Sequence, residues 1–330
     1  MSRLSRDARA VGRPISERNT SSAAGISSVG AIIVTYRPDI RKFERVIGAI
    51  ASQVSHLIVV DNGSPKASLL EVRALCAQHG ARLVAEPFNV GIAAAQNQGI
   101  ETLLAEKCDY VLLLDHDSVP AEDMVSELLR ADIVLRADGC AVGAVGPVCE
   151  DFRTGSQWPF IRLENGFTRR IACSGEHSVV KTDLLIASGS LIHQSVFGAV
   201  GTMNEAFFID HVDTEWCLRA TAAGFSLFGV CAARLDHELG DRIVRLWFLR
   251  WREVPVHTPV RIYYMFRNTI RMLAETPMGW SWRMIHAYRL AQFLFFYGML
   301  VKPRFTYCRA IFYGVLDAVL QRMYAIKRSL

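Results

Sequence analysis

The chain has 330 residues, 51% of them hydrophobic, and a formal net charge of +5. That length accommodates one large α/β domain with an extension, or two modest domains, each able to bury a core. So mild a charge gives no footing for wholesale disorder or for dedicated nucleic-acid binding.

Residues 1–28 carry Arg3, Arg6, Arg9, Arg13 and Arg18 without a continuous apolar stretch, so a flexible leader is expected there rather than a signal peptide. Regular structure is predicted from Val29: residues 29–36 read as a buried strand of small and β-branched side chains, stopped by Arg37-Pro38. Phe43, Val46, Ile47 and Ile50 fall at helical spacing, and residues 56–61 form a second apolar strand closed by the turn residues Asn62-Gly63-Ser64-Pro65. The pattern continues with a helix over 69–79, a short strand over 82–86, a helix over 91–106 and a strand over 110–115. Short apolar strands alternating with helices predict an α/β fold with a mostly parallel sheet flanked by helices. In such sheets ligands sit beyond the carboxyl ends of the strands, which here carry Thr35, Tyr36, Asp61, Asn62, Asp115 and Asp117. Neither G-x-G-x-x-G nor G-x-x-x-x-G-K-[ST] follows the first strand, so dinucleotide and phosphate-loop readings lose their main support.

Asp115 and Asp117 stand two apart where a buried strand runs out, and alternate residues of an extended chain face the same way. Two adjacent anions repel unless a cation joins them, and Mg²⁺ or Mn²⁺ takes one or two carboxylates with phosphate oxygens completing its shell. The alternative is that one acid caps the following helix and the other is solvated. Residues 207–219, Phe-Phe-Ile-Asp-His-Val-Asp-Thr-Glu-Trp-Cys-Leu-Arg, mix acids with aromatics just before a helical run. Asp213 suits a general base kept reactive by apolar surroundings, and equally a first-turn carboxylate favoured by the helix dipole, with Arg219 a simple ion-pair partner. His237 is a candidate metal ligand or diphosphate donor, or a surface histidine. Asn89, Gly91 and Asn97 bracket a helix start able to hold phosphate or ribose, or form an ordinary turn and cap. Arg267 is a candidate phosphate contact, or one half of an ion pair on an amphipathic helix.

The eight cysteines show no C-x-x-C and no zinc-like Cys/His spacing, which reads as reduced thiols in a cytoplasmic protein. From Trp280 to Leu330 eight Lys and Arg face the single acid Asp317 in an aromatic, apolar tail, a pattern suited to an anionic membrane surface or to packing on protein. Its apolar run over 290–301 is shorter than the roughly 18–20 residues needed to cross a bilayer, while Trp280, Trp282, Tyr288, Tyr297 and Tyr307 suit a headgroup boundary.

Taken in order over roughly 29–273, these segments resemble glycosyltransferase family 2, and within it the rhamnosyltransferases. The resemblance implies a GT-A type fold with a helical C-terminal extension over 274–330. It implies nucleotide contacts from Thr35, Tyr36 and Asp61 with Arg37 beside them, and ribose or phosphate contacts near Asn89, Gly91 and Asn97. Leu114-Asp115-His116-Asp117 matches the family's Asp-x-Asp motif, implying metal at Asp117 and metal or ribose at Asp115. Residues 187–190, Gly201 and Phe207-Phe208 look like its acceptor-side loop. Where many relatives carry Glu-Asp before the base, this chain has Val212-Asp213, which leaves Asp210 or Glu215 to compensate. The wording of residues 209–215, His237-x-x-Gly240-Asp241-Arg242 and Arg261-x-Tyr263-Tyr264-x-x-Arg267-Asn268 specifically resemble rhamnosyltransferases. The implied reaction is inverting transfer of a sugar, with L-rhamnose from dTDP-L-rhamnose as donor and Mg²⁺ or Mn²⁺ as cofactor. A lipid-linked or glycolipid acceptor is implied, either a polysaccharide on a polyprenyl carrier or a monorhamnolipid. The competing classes are a nucleotidyltransferase, for which Thr35-Tyr36-Arg37-Pro38 replaces the expected Gly-rich loop, and a non-catalytic membrane-associated scaffold, for which Asp117 and Asp213 need not have stood.

Overall fold

A computed structural model describes residues 27–151, 155–175, 178–237, 242–248 and 250–326. Residues 1–26 of the expected leader lie outside them, as do Gly240 and Asp241 and the basic Lys327 and Arg328.

The N-terminal half alternates strand and helix: β1 (Val29–Thr35), α1 (Ile40–Ala51), β2 (His56–Asp61), α2 (Lys66–Gln78), β3 (Arg82–Ala85), α3 (Ile92–Ala105) and β4 (Tyr110–Asp115). β1 pairs in parallel with β2 and β4, and β2 with β3, as continuous apolar runs require of strands covered on both faces. Asp39 caps α1 by accepting from the Arg41 and Lys42 amides, and the helix buries Phe43, Val46, Ile47 and Ile50 against the sheet. Each of these burials contributes roughly 1.5–3 kcal/mol, so Phe43→Ala or Ile47→Ala would be among the more damaging changes.

The sheet then extends with mixed direction through β5 (Ser118–Pro120), α4 (Met124–Ala137), β6 (Val142–Asp151), β7 (Ser156–Gln157), β8 (Phe160–Glu164), β9 (Phe167–Ile171), β10 (Val179–Thr182), β11 (Leu191–His193), α5 (Gln194–Val200), α6 (Val212–Ala222) and β12 (Ser226–His237). Among the described residues it has ten strands, ordered β10-β12-β6-β11-β4-β1-β2-β3, with β5 on β12 and β7 on β6. β11 runs antiparallel between β4 and β6, which carries the 187–190 loop to the end of β4. Two hydrophobic clusters lie on the two faces of this sheet, one built around α1 and α4, the other around α3 and α6. β8 and β9 form a separate hairpin, as do β13 (Arg242–Phe248) and β14 (Arg250–Val256).

The C-terminal helices are α7 (Pro259–Glu275), α8 (Trp280–Phe295), a π-helical turn (Phe296–Leu300) and α9 (Arg304–Val319). α9 packs along α7, and Gly314 is required there because a Cβ would lie 2.6 Å from the Tyr263 carbonyl oxygen. No helix among the described residues is long and apolar enough to cross a membrane.

Two expectations are corrected. Cys173 and Cys231 form a disulfide across 58 residues, so not all eight thiols are free; the pairing arises from tertiary approach, which spacing along the chain does not reveal. Of the aromatics expected at a headgroup boundary, Trp282, Tyr297 and Tyr307 are buried. The hydroxyl of Tyr297 accepts from the His257 amide while that of Tyr307 donates to the His257 carbonyl, so these rings lock the start of α7 rather than face outward. Trp280 and Tyr288 are exposed, joined by Leu294, Phe295, Met299, Leu300, Phe305 and Phe312.

Candidate active site

A cleft of about 740 Å³ opens at the carboxyl ends of β1, β2 and β4. Tyr36, Asn62, Asn89, Asp115, Asp117, Asp213 and His237 all line it, so residues from six separate segments of the chain converge on one space.

At one end the chain leaves β1 and β2 under tight side-chain control. Thr35 and Asp61 are fully buried, and the Thr35 hydroxyl donates to Asp61 Oδ2 at 2.9 Å while the Ser64 amide donates to Oδ1. This fixes the two strand ends and leaves Tyr36, 38% exposed, as the ring that borders the cleft. Arg37 lies over that ring, 5.2 Å from its centroid, and is absent from the lining among the described residues. Asn62 donates to Asn89 Oδ1 and accepts from the Val90 amide, clamping the turn before α3. Gly91 occupies φ +96, and a Cβ there would lie 2.6 Å from the Phe208 ring, so only glycine brings this turn against the loop before α6.

The middle of the cleft carries the acids. Asp115, Asp117 and His237 each offer a ligand atom, all within 4.8 Å of one another. His237 Nδ1 is 2.6 Å from the Ser118 hydroxyl and its ring stands edge-on to Trp158, which orients the imidazole and leaves Nε2 for a ligand. Burial, and then the Asp117 charge, push the Asp115 carboxyl up to about 6. Two carboxylates under mutual repulsion with one imidazole are a donor set that fits an oxygen-preferring divalent cation. The Ser188 hydroxyl accepts from the Asp115 amide, and Gly189, at φ +85 with Pro147 against its missing Cβ, donates its amide to the Leu113 carbonyl.

Asp213 closes the far end from the first turn of α6, its Oδ1 accepting from the Thr214 amide at 2.6 Å. Burial raises its carboxyl above the usual aspartate value, with the Thr214 bonds opposing. The loop that delivers it is strained: Phe208, Asp210 and His211 all sit at φ +63, a region non-glycine residues occupy at a cost of order 1–3 kcal/mol each. Asn268 pays that strain back by donating to the carbonyls of Phe207, Ile209 and Asp210. Asp210 lines the cleft paired to Arg261, whereas Glu215 is buried against Arg219, which also donates to the Val200 and Thr202 carbonyls. Of the two acids left to compensate for the missing partner, only Asp210 is therefore in the cleft.

Two candidate contacts, Arg267 and Asn97, do not line the cleft among the described residues. Arg267 is 0% exposed and donates to the carbonyls of Tyr324, Ala206 and Phe207, so it braces the loop from behind. Asn97 is buried and bonds Met203 and Glu205, tying α3 to the segment before α6. Conversely, Gln96, His257 and Arg261 line the cleft without having been singled out for it; their approach is tertiary, and only the regular four-residue step from Ile92 to Gln96 pointed toward it.

Comparison with known proteins agrees with this arrangement. The model of the family described as glycosyl transferase family 2 matches residues 31–191. The dTDP-rhamnosyl transferase RfbF of Shigella flexneri is 30% identical over 253 residues, covering 76% of this chain and 81% of that protein. Among solved structures, the mannosyltransferase PcManGT from Pyrobaculum calidifontis, in complex with GDP-Man and Mn²⁺, has a TM-score of 0.51 at 16% identity, covering 92% of this chain and 76% of that one. GalNAc-T7 with UDP, GalNAc and Mn²⁺ has a TM-score of 0.53 at 12% identity, covering 65% of this chain and 44% of that one. These two likenesses speak for the fold, which is of GT-A type. With its matching family model and a relative aligned over most of both lengths, the chain belongs to glycosyltransferase family 2 and is rhamnosyltransferase-like within it.

Proposed function

We propose that this glycosyltransferase transfers L-rhamnose from dTDP-L-rhamnose, with inversion, to a hydroxyl of a glycolipid or lipid-linked acceptor. The observation that carries this reading is the shared cleft: a desolvated carboxylate, Asp213, faces the Asp115, Asp117 and His237 group across a space large enough for a nucleotide sugar. Similarity to a dTDP-rhamnosyl transferase over 81% of that protein supports the donor.

In this mechanism Tyr36, with Thr35 and Asp61 beneath it, receives the nucleotide base, and Asn62 and Asn89 border the ribose. Asp115, Asp117 and His237 would hold Mg²⁺ or Mn²⁺, which when bound supplies Lewis-acid neutralisation of the departing diphosphate. Asp213 takes the proton from the acceptor hydroxyl as its oxygen attacks the anomeric carbon on the face opposite the diphosphate. Its raised proton affinity strengthens it as a base once ionised. The strained 208–211 loop, braced by Arg267 and Asn268, holds Asp213 in place so that little reorganisation accompanies proton transfer.

Residues 29–273 form the transferase unit in this reading, and 274–330 a helical extension peripheral to the inner membrane on its cytoplasmic side. The exposed set of Trp280, Tyr288, Phe295, Met299, Phe305 and Phe312, with Arg304 and Lys302 nearby, supports a surface that meets lipid and the acceptor it carries. Incubation of the purified protein with dTDP-L-rhamnose and, separately, a monorhamnolipid or a polyprenyl-linked saccharide, read by mass spectrometry, tests the function. A product heavier by one deoxyhexose supports it, and no transfer to either acceptor with turnover of a different nucleotide sugar contradicts it.

A further inference from the structure

Gln96 lies on α3, one turn after Ile92 on the same face, and lines the cleft although only 3% of the residue is exposed. Its Oε1 is buried and has no hydrogen-bond partner among the described residues. A buried amide left unpaired is destabilising, so a fold that keeps one where a leucine would pack better is holding a polar group ready for something that arrives later. Ile92, Phe208, Ile209 and Val212, which line the same cleft, have no polar side-chain atom to offer it.

We propose that the Gln96 amide hydrogen-bonds a ring hydroxyl of the donor's sugar. Its position selects the sugar over the rest of the donor. The nucleotide end of the cleft is set by Tyr36 and Asn62, and the diphosphate belongs beside Asp115, Asp117 and His237. Gln96 comes one turn of α3 after Ile92, whose amide donates to the Phe208 carbonyl at 2.7 Å, and it shares the cleft lining with the loop leading to Asp213. The hexose has to lie between the diphosphate and the base, alongside this lining. A hydroxyl both donates and accepts, so it satisfies the amide whichever of its two ends faces the cleft. A phosphate oxygen, which only accepts, can take a hydrogen bond from Nε2 but leaves Oε1 unpaired.

This inference rests on the nucleotide-sugar reading above, and its test separates the two. Calorimetric affinities for dTDP and for dTDP-rhamnose, with Mn²⁺ present, are compared between the full-length wild type and Gln96→Met, which keeps the side chain's length. The expected result is dTDP affinity unchanged within about twofold, dTDP-rhamnose weakened about tenfold, and a melting temperature equal to or above wild type, since an unpaired polar group has been removed. Equal weakening of both ligands would assign Gln96 to the nucleotide, and no change in either would leave it without a ligand; both overturn the proposal, as does a clear fall in melting temperature, the mark of a structural amide. Should the wild type prefer a UDP- or GDP-sugar, the rhamnosyl donor reading fails while the Gln96 comparison is made on that nucleotide and its sugar form. Binding of no nucleotide sugar by the wild type overturns both.

Discussion

Asp210 and Arg261 are joined across 51 residues by hydrogen bonds from Nη2 and Nε of the guanidinium to Oδ1, at 2.6 and 3.2 Å, on the wall of the cleft that ends in Asp213. Asp210 also raises the Asp213 carboxyl through its charge, after the larger effect of burial and against the Thr214 bonds. Arg261 therefore offsets the charge of the anion beside Asp213.

A pH dependence follows. In the proposed mechanism Asp213 acts as the carboxylate, and its proton affinity is raised, so kcat/KM should climb with pH through a midpoint above the ordinary aspartate range of about 4. Arg261→Ala unmasks the Asp210 charge and should move that acid limb to higher pH, whereas Asp210→Asn should move it lower. Opposite shifts, or none, in a pH–rate series of the two variants would detach this pair from the base.

Removal of Asp117 tests the cation site. Asp117→Ala leaves Asp115 and His237 without their third ligand and should abolish most transfer, together with the gain in nucleotide affinity that Mn²⁺ confers. Excess EDTA should do the same to the wild type. Full activity in EDTA would mean that these residues serve some other purpose.

Stability should fall on mild acidification for a reason unrelated to the acids. Burial, followed by Arg289, lowers His211 to about 4; burial, followed by His211 and Arg289, lowers His286 to about 4. Below pH 6.5 the unfolded chain binds protons at both rings and the folded chain does not, so stability is fully present above 6.5 and is lost as pH falls toward 4. Melting curves between pH 7.5 and 5 should show this loss, and His286→Leu, which removes one of the two rings, should flatten it.

Much of this architecture was legible along the chain because buried parallel strands write themselves as unbroken apolar runs. The strands expected at 56–61 and 110–115 match β2 and β4, and those at 29–36 and 82–86 overrun β1 and β3 by one residue. The Asp-x-Asp pair and Asp213 stand out along the chain for a similar reason, as acids at the end of a buried strand or amid aromatics, and the fold brings them to one cleft. What stayed hidden was set by distant contacts. Along the chain Arg267 fits a phosphate contact and an ion pair on an amphipathic helix alike, whereas in the fold backbone carbonyls of a strained loop absorb its donors. Trp282, Tyr297 and Tyr307 share the composition of an interfacial belt with Trp280 and Tyr288, and only tertiary packing separates the inward rings from the outward ones, Tyr297 and Tyr307 against α7 and Trp282 in the main core.

The outward ones carry the membrane prediction. The full-length protein should float with anionic vesicles, and less so in high salt as basic side chains are screened. Replacing Phe295, Met299 and Phe305, each at least 59% exposed, by serine should weaken flotation without lowering the melting temperature. A wild type that never floats would assign this surface to protein contact.

The most direct measurement compares Asp213→Asn with the wild type for rhamnosyl transfer from dTDP-L-rhamnose and for dTDP affinity. Asparagine keeps the shape of the side chain but cannot take the acceptor's proton. Transfer should fall by roughly 10²–10⁴ while dTDP binds as before. A variant that retains most of its rate, or loses rate only in proportion to lost dTDP affinity, would contradict Asp213 as the base in this cleft.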